Sequence, residues 1–368
     1  MKVLGLIDSF KGSLSSIELG KILKEELNKK NIECEYIPIS DGGEGFLDQI
    51  EYLGNVERIY VDTVDPLFRK LNTYYLVDKK ENTVYLEYAK CCGVSLLNDY
   101  EYNPYLTSSY GFGLLINDAI KKGYNDFVIG IGGSITNDGG SGLLEALGVK
   151  FYDKNNRIIT DLQNDKLRLL NRVDFSNLKK NINITVVSDV SNPILGKGGA
   201  TYTYSLQKGA KLDDLEILES NMANYVGAVE RALDKEIHNL PGSGAAGGVG
   251  FALLTFLNCK LIKGIDFIFK KIDFTNLKNN YDYIITGEGK IDKQSLFGKV
   301  VFEITKEVDS NKVIILSAVN DLNDDFFKTM GITKYYSIVD KLATKEESLK
   351  YPEKYFRRLV GLIEFNNE

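Results

Sequence analysis

Residues 130–142, GIGGSITNDGGSG, follow the apolar run 127–129 and lead into SGLLEALGV, which has helical spacing. Glycine lets a backbone take positive φ and leaves its N–H groups open to an anion. A helix that follows such a loop adds the positive end of its dipole. The stretch therefore has the composition of a phosphate cradle. Four other strand-like runs pass into turns that mix glycine with Asp, Glu, Lys or Ser: LGLIDSFKGSLSS, IPISDGGEGFLD, VVSDVSNPILGKGGA and IITGEGKIDKQSLFGK. In open α/β sheets ligands bind beyond the carboxyl ends of strands, where such turns collect.

The carboxylates and lysines in these turns supply the other half of phosphoryl-transfer chemistry. Mg²⁺ is held by one or two carboxylates together with phosphate oxygens. The transferred group needs cations, and the attacking hydroxyl needs an acceptor for its proton. Asp8, Asp41, Glu44, Asp138, Asp189, Glu288 and Asp292 are the candidate acids, and Lys11, Lys197, Lys208 and Lys290 the candidate cations. No GxxxxGK[ST] sequence occurs, so a P-loop is excluded. A GxGxxG match, GSGAAG at 242–247, follows HNLP rather than a strand, which a dinucleotide fingerprint requires. A dehydrogenase using that segment, or a non-catalytic binder of phosphorylated metabolites, stands as an alternative. His238 is the single histidine, so a Ser-His-Asp triad or a histidine-rich metal site is not expected. Cys34, Cys91, Cys92 and Cys259 fit no zinc spacing and are expected as free thiols.

Elements able to position these groups are legible as alternating patterns. Apolar runs at 3–7, 32–39, 125–131, 182–187, 281–286, 312–316 and 335–339 read as buried strands. Segments 16–30, 110–122 and 302–308 have the i, i+3, i+4 spacing of helices. This predicts an α/β protein with a largely parallel sheet. Residues 58–91 instead read as a strand–turn–strand–turn–strand meander. The expected organisation is one doubly wound unit made by both chain ends, residues 1–65 and 281–368, interrupted by a second, mixed-sheet α/β unit at 66–280. The 368 residues, 43% of them hydrophobic, suffice for two such cores. A net charge of −6 does not point to nucleic acid, and neither a signal-peptide core nor a membrane-spanning run is visible, so a cytoplasmic protein is expected.

Several motifs, in order along residues 8–299, resemble the type I glycerate kinases: DSFKGSLSS, DGGEG, TSSYGFG, GIGGSITNDGGSGLLEALGV, SDVSNPILGKGGAT, QKGA, GSGAAGGVGFAL and ITGEGKIDKQSLFGK. The resemblance implies a flavodoxin-like domain and ATP-dependent phosphorylation of D-glycerate, usually to 2-phosphoglycerate. Ile135 replaces the family's usual alanine, and YSLQKGA lacks its Gly-Pro, differences that bear on ligand preference rather than reaction class. Carried over, the backbone amides of Gly132, Gly133, Ser134, Gly139 and Gly140 would cradle the nucleotide phosphates, with Asn137 and Asp138 shaping the loop. Asp189 would serve as base or Mg²⁺ ligand, and Glu288 and Asp41 would hold the metal. Ser9, Lys11 and Asn192 would engage substrate, with Lys290 as a further cation.

Overall fold

The computed structural model describes residues 1–365 apart from 179–180, 258 and 293–299. The chain forms two compact units. The first comprises Met1–Asp41, Asp48–Gly54 and Lys263–Glu368, the second Gly42–Leu47 and Asn55–Ile262. In chain order the strands are β1 (Lys2–Ile7), β2 (Glu33–Tyr36), β3 (Glu57–Val64), β4 (Lys70–Asp78), β5 (Thr83–Glu87), β6 (Asp126–Gly130) and β7 (Lys150–Tyr152). There follow β8 (Ile158–Ile159), β9 (Arg172–Asp174), β10 (Asn183–Val187), β11 (Lys260–Ile262), β12 (Tyr283–Ile291), β13 (Val313–Asn320) and β14 (Lys334–Ser337).

The first unit holds a sheet of order β14-β13-β12-β1-β2, parallel throughout. Counted within the unit this is the 2-1-3-4-5 order of flavodoxin-like folds, and it reverses between β1 and β12. Both faces are covered, so β1 is apolar nearly throughout rather than alternating. Val3 and Ile7 join a core with Leu19, Leu23 and Phe356, whereas Leu4 and Leu6 join one with Ile265, Phe274 and Ile304. The helix Ser16–Lys29 starts at a capping box, Ser15 with Glu18, and buries Leu19, Ile22, Leu23 and Leu27.

The second unit carries a six-stranded sheet of order β11-β10-β6-β5-β4-β3. Its first four strands are parallel, and β4 and β3 are the antiparallel meander. A small antiparallel sheet, β8-β7-β9, lies in the same unit. The breaks between units fall upstream of 65/66 and 280/281. Strand β3 pairs along its length with β4, and Ile265, Ile268 and Phe274 pack on the β1 side of the parallel sheet. Two elements differ from the sequence expectation. Strand β12 runs on through the GEGKI segment, because β13 continues beside it and pairs Glu288 with Ser317 and Lys290 with Val319. The run 335–339 stops as a strand at Ser337, where a short helix, Ile338–Lys341, begins. No helix of the described residues is long and apolar enough to cross a membrane. Cys34, Cys91 and Cys92 are buried free thiols and Cys259 is a partly buried one.

The SSYGFG motif is explained by packing. The helix Tyr110–Lys121 lies so close to β3 that a Cβ on Gly111 would sit 2.0 Å from the Val64 carbonyl oxygen. Thr63 Oγ1 also donates to Gly111 O at 2.8 Å. Backbone cannot yield as a side-chain tip can, so Gly111→Ala is expected to cost about 1–3 kcal/mol. Gly361→Ala, on a helix end with open space around it, is expected to be neutral or mildly stabilising. Urea unfolding of the two variants checks the contrast.

Candidate functional site

In the first unit the polar groups gather where the strand order reverses. Asp8 follows β1 directly, its N–H donating to Gly287 O at 2.9 Å. Ser9 N donates to Asp8 Oδ1 at 2.7 Å, and the chain then turns tightly, with Phe10 N bonded to Leu14 O at 2.9 Å and Gly12 at φ +78°. That turn presents Lys11, whose Nζ lies 3.1 Å from Asp41 Oδ2. From the neighbouring strand, Glu288 follows Gly287 and is almost fully buried. Close backbone approach is built in, since a Cβ on Gly289 would lie 3.1 Å from Phe10 Cα.

Four charged groups thus act on one another: Asp8, Lys11, Asp41 and Glu288. Burial, Asp41 and Glu288 push the Asp8 carboxyl up to about 7, against the pull of Lys11 and the Ser9 amide. Lys11 is raised in turn, chiefly by Asp41. Negative charge exceeds positive, and the donors are hard oxygens, the setting that favours a divalent cation such as Mg²⁺. Among the described residues no three His, Cys, Asp or Glu side chains are drawn into a closed metal cage. A Mg²⁺ site that keeps waters and phosphate oxygens in its shell does not need one.

In the second unit the loop after β6 is held by two other glycine-rich segments. Gly132 N donates to Gly42 O at 3.0 Å, and a Cβ on Gly132 would meet Gly43 Cα at 2.5 Å. The GSGAAGG segment, with Ala246, Gly247 and Gly248 all at positive φ, packs against its other end. There a Cβ on Gly247 would stand 1.9 Å from Thr136 O, and Gly139 N donates to Gly247 O at 3.0 Å. Asp138 is fully buried and accepts four hydrogen bonds: from Ser109 N (2.8 Å), Ser109 Oγ (2.7 Å), Gly140 N (3.1 Å) and Gly142 N (3.2 Å). Burial raises its carboxyl and these donors lower it again. No strand leads directly into Gly242, since residues 234–241 are turn and coil, so the dinucleotide fingerprint lacks its context.

Lys208 closes this arrangement. It ends the short turn Leu206–Lys208, and Gly209 at φ +97° lets the chain turn away. Its Nζ donates to Ser134 Oγ at 2.9 Å and to Thr136 O at 2.7 Å, with only 2% of the residue exposed. Burial lowers its ammonium to about 7, Asp138 acting in the opposite direction.

The sequence model of the glycerate kinase family matches residues 3–363. The chain belongs to the glycerate kinase family. It is 32% identical to a glycerate kinase of Halalkalibacterium halodurans over 93% of this chain and 92% of that protein. It is likewise 32% identical to a glycerate 2-kinase of Escherichia coli over 95% of this chain and 93% of that protein. A crystal structure described as glycerate kinase 2 from Salmonella typhimurium LT2 superposes with a TM-score of 0.79 at 29% identity, covering 98% of this chain and 96% of that one. Membership makes the chain an enzyme of the kinase class, with the α/β fold described above.

Within this glycerate kinase family member the expected residues separate into groups. Lys11, Asp41 and Glu288 come together, with Ser9 beside them and Asp8 at their centre. Lys290 lies on β12 rather than in a turn, about half exposed, and pairs with Asp321 at 2.6 Å and Asp292 at 3.4 Å. Asp189 is exposed on the loop after β10. Asn192 holds that loop, donating to Gly198 O at 2.7 Å and accepting from Tyr204 Oη at 2.9 Å. Lys197 is exposed over the Tyr202 ring. Of the five expected cradle amides, those of Gly132, Gly139 and Gly140 are spent on Gly42 O, Gly247 O and Asp138. The amides of Gly133 and Ser134 have no partner among the described residues. Asp8 and Lys208 are the groups that the motif carry-over left without a role. Their signals were a carboxylate at the end of the first strand and a lysine just before a glycine.

Two expectations follow. Asp138→Ala strands several buried donors and is expected to destabilise by about 3 kcal/mol or more, read by urea unfolding. A carboxyl raised by folding binds its proton more tightly in the folded state, so its contribution to stability declines as pH rises from about 4 to about 7. In metal-free buffer Asp8→Asn is therefore expected to raise Tm relative to wild type more at pH 8 than at pH 4. Added Mg²⁺ narrows the gap. A pH-independent difference between the two melting curves contradicts this account.

Proposed function

We propose that this chain transfers the terminal phosphoryl group of ATP to D-glycerate, giving 2-phosphoglycerate, with Mg²⁺ as the accompanying ion. The relatives named glycerate kinase and glycerate 2-kinase, matched over nearly their whole lengths, support the substrate. The observation that carries the reading is the group formed by Asp8, Lys11, Asp41 and Glu288 at the carboxyl end of β1, with Glu288 on the neighbouring β12. That is where a 2-1-3-4-5 sheet binds its ligand. It combines a cation, hard oxygen donors and a carboxyl raised toward neutrality.

Lys11 and the Ser9 hydroxyl engage the carboxylate of glycerate. Asp41 and Glu288 would hold Mg²⁺, and the ion would offset charge on the phosphate oxygens. Asp8 accepts the proton of the attacking hydroxyl, since a general base works best with its pKa near the working pH. Asp189 is the second carboxylate proposed for that proton or for the metal. Phosphate oxygens of ATP take the open amides of Gly133 and Ser134, while Asn137, Asp138, Gly139 and Gly140 fix the loop that presents them. Lys290 and Asn192 act at one remove, through the ion pairs and loop contacts that they make. The reaction is assigned to the cytoplasm.

Release of ADP, measured with glycerate and with close analogues, tests the reading. Glycerate-dependent turnover is expected, and reduction of NAD or binding without turnover would favour the alternatives. Asp8→Asn is expected to lower kcat by about 10²–10⁴-fold. If that variant keeps near-normal turnover while Asp189→Asn loses it, the base is Asp189.

A further inference from the structure

Lys208 is used by none of the steps above, yet it is the most deeply buried cation of the loop assembly. Its two hydrogen bonds go to neutral oxygens, Ser134 Oγ and Thr136 O. A neutral amine has two N–H groups and is satisfied by those two acceptors. A charged ammonium has three, and the third finds no acceptor among the described residues. Asp138 is the charged group that acts on Lys208, but its oxygens are already occupied by four donors. The Tyr88 hydroxyl, bonded to Thr136 Oγ1 at 2.8 Å, is kept un-ionised by burial. Beside the lysine stand the amides of Gly133 and Ser134, unpartnered among the described residues, and no carboxylate of the described residues pairs with Nζ. The place lacks one thing, a negative charge.

We propose that Lys208, with the amides of Gly133 and Ser134, forms the seat of a phosphate group of a nucleotide, and that the lysine takes up a proton as the group binds. This deepens the kinase reading and rests on it for the identity of the ligand. With a free-state value of about 7, Lys208 is mostly neutral at pH 8. An anion against the amine favours the charged form and so draws a proton from solvent. Affinity therefore falls as pH rises above 7, and uptake vanishes near pH 6, where the lysine is already charged.

Calorimetry on the full chain with MgATP, in two buffers of different ionisation heat, counts the protons. The expected result is close to one proton taken up per ATP at about pH 8 and few at pH 6. Lys208→Met is expected to abolish the uptake and to weaken binding by about tenfold or more. Lys208→Arg, charged at every pH, is expected to bind without uptake. ATP binding by wild type without uptake, or unchanged uptake and affinity in Lys208→Met, overturns the inference. The wild-type count stands even if a variant does not fold. Inorganic tripolyphosphate separates this inference from the functional one. Uptake with tripolyphosphate in a protein that shows no glycerate-dependent ADP release would leave the seat and remove the kinase reading. Turnover without uptake would do the reverse.

Discussion

The contact between Thr136 and Gly247 is the constraint on which the second unit's site depends. Two backbones pass so close there that a single added carbon would stand 1.9 Å from a carbonyl oxygen. The same carbonyl accepts a hydrogen bond from Lys208 Nζ, and the next turn of the loop returns a hydrogen bond from Gly139 N to Gly247 O. Glycines that invite reading as ligand contacts are therefore mostly contacts between loops. What they provide is rigidity. Once Gly132, Gly139 and Gly140 have spent their amides internally, Gly133 and Ser134 are left open at a fixed place.

The two units carry opposite electrostatic deficits. In the first, three carboxylates share one lysine, and the cost shows as a carboxyl held near neutrality. In the second, a buried lysine has only neutral oxygens to bond and is itself held near neutrality. Each departure from ordinary ionisation costs folding free energy, and each would be relieved by a ligand of the missing sign. A ligand of the missing sign would act by relieving an existing imbalance of charge rather than by adding contacts to an already balanced surface.

Much of this was legible in the sequence. The apolar runs of β1 and β13 are read directly from composition because both faces of their sheet are covered, which removes the ambiguity of alternation. What the residues did not disclose was how far a ladder continues once a neighbour is available. GEGKI has the glycines of a turn, yet it remains strand because β13 offers partners as far as Asn320. Glu288 and Lys290 thereby lie two apart on one strand and meet different fates, one buried near Asp8 and one half in solvent.

The lysines show why residue type alone could not rank the site. Lys290 and Lys208 look alike in sequence, each beside a glycine and near acids or amides. Exposure decides between them. Lys290 is half in water and already answered by Asp321 and Asp292, so an incoming anion must compete with two carboxylates and with solvent screening. Lys208 has neither competitor, and in a low-dielectric pocket a single charge pair counts for far more than at the surface. Burial is a property of the packed loops, set by Gly209, Gly247 and the helix behind them, and it becomes visible only when those segments are brought together in space.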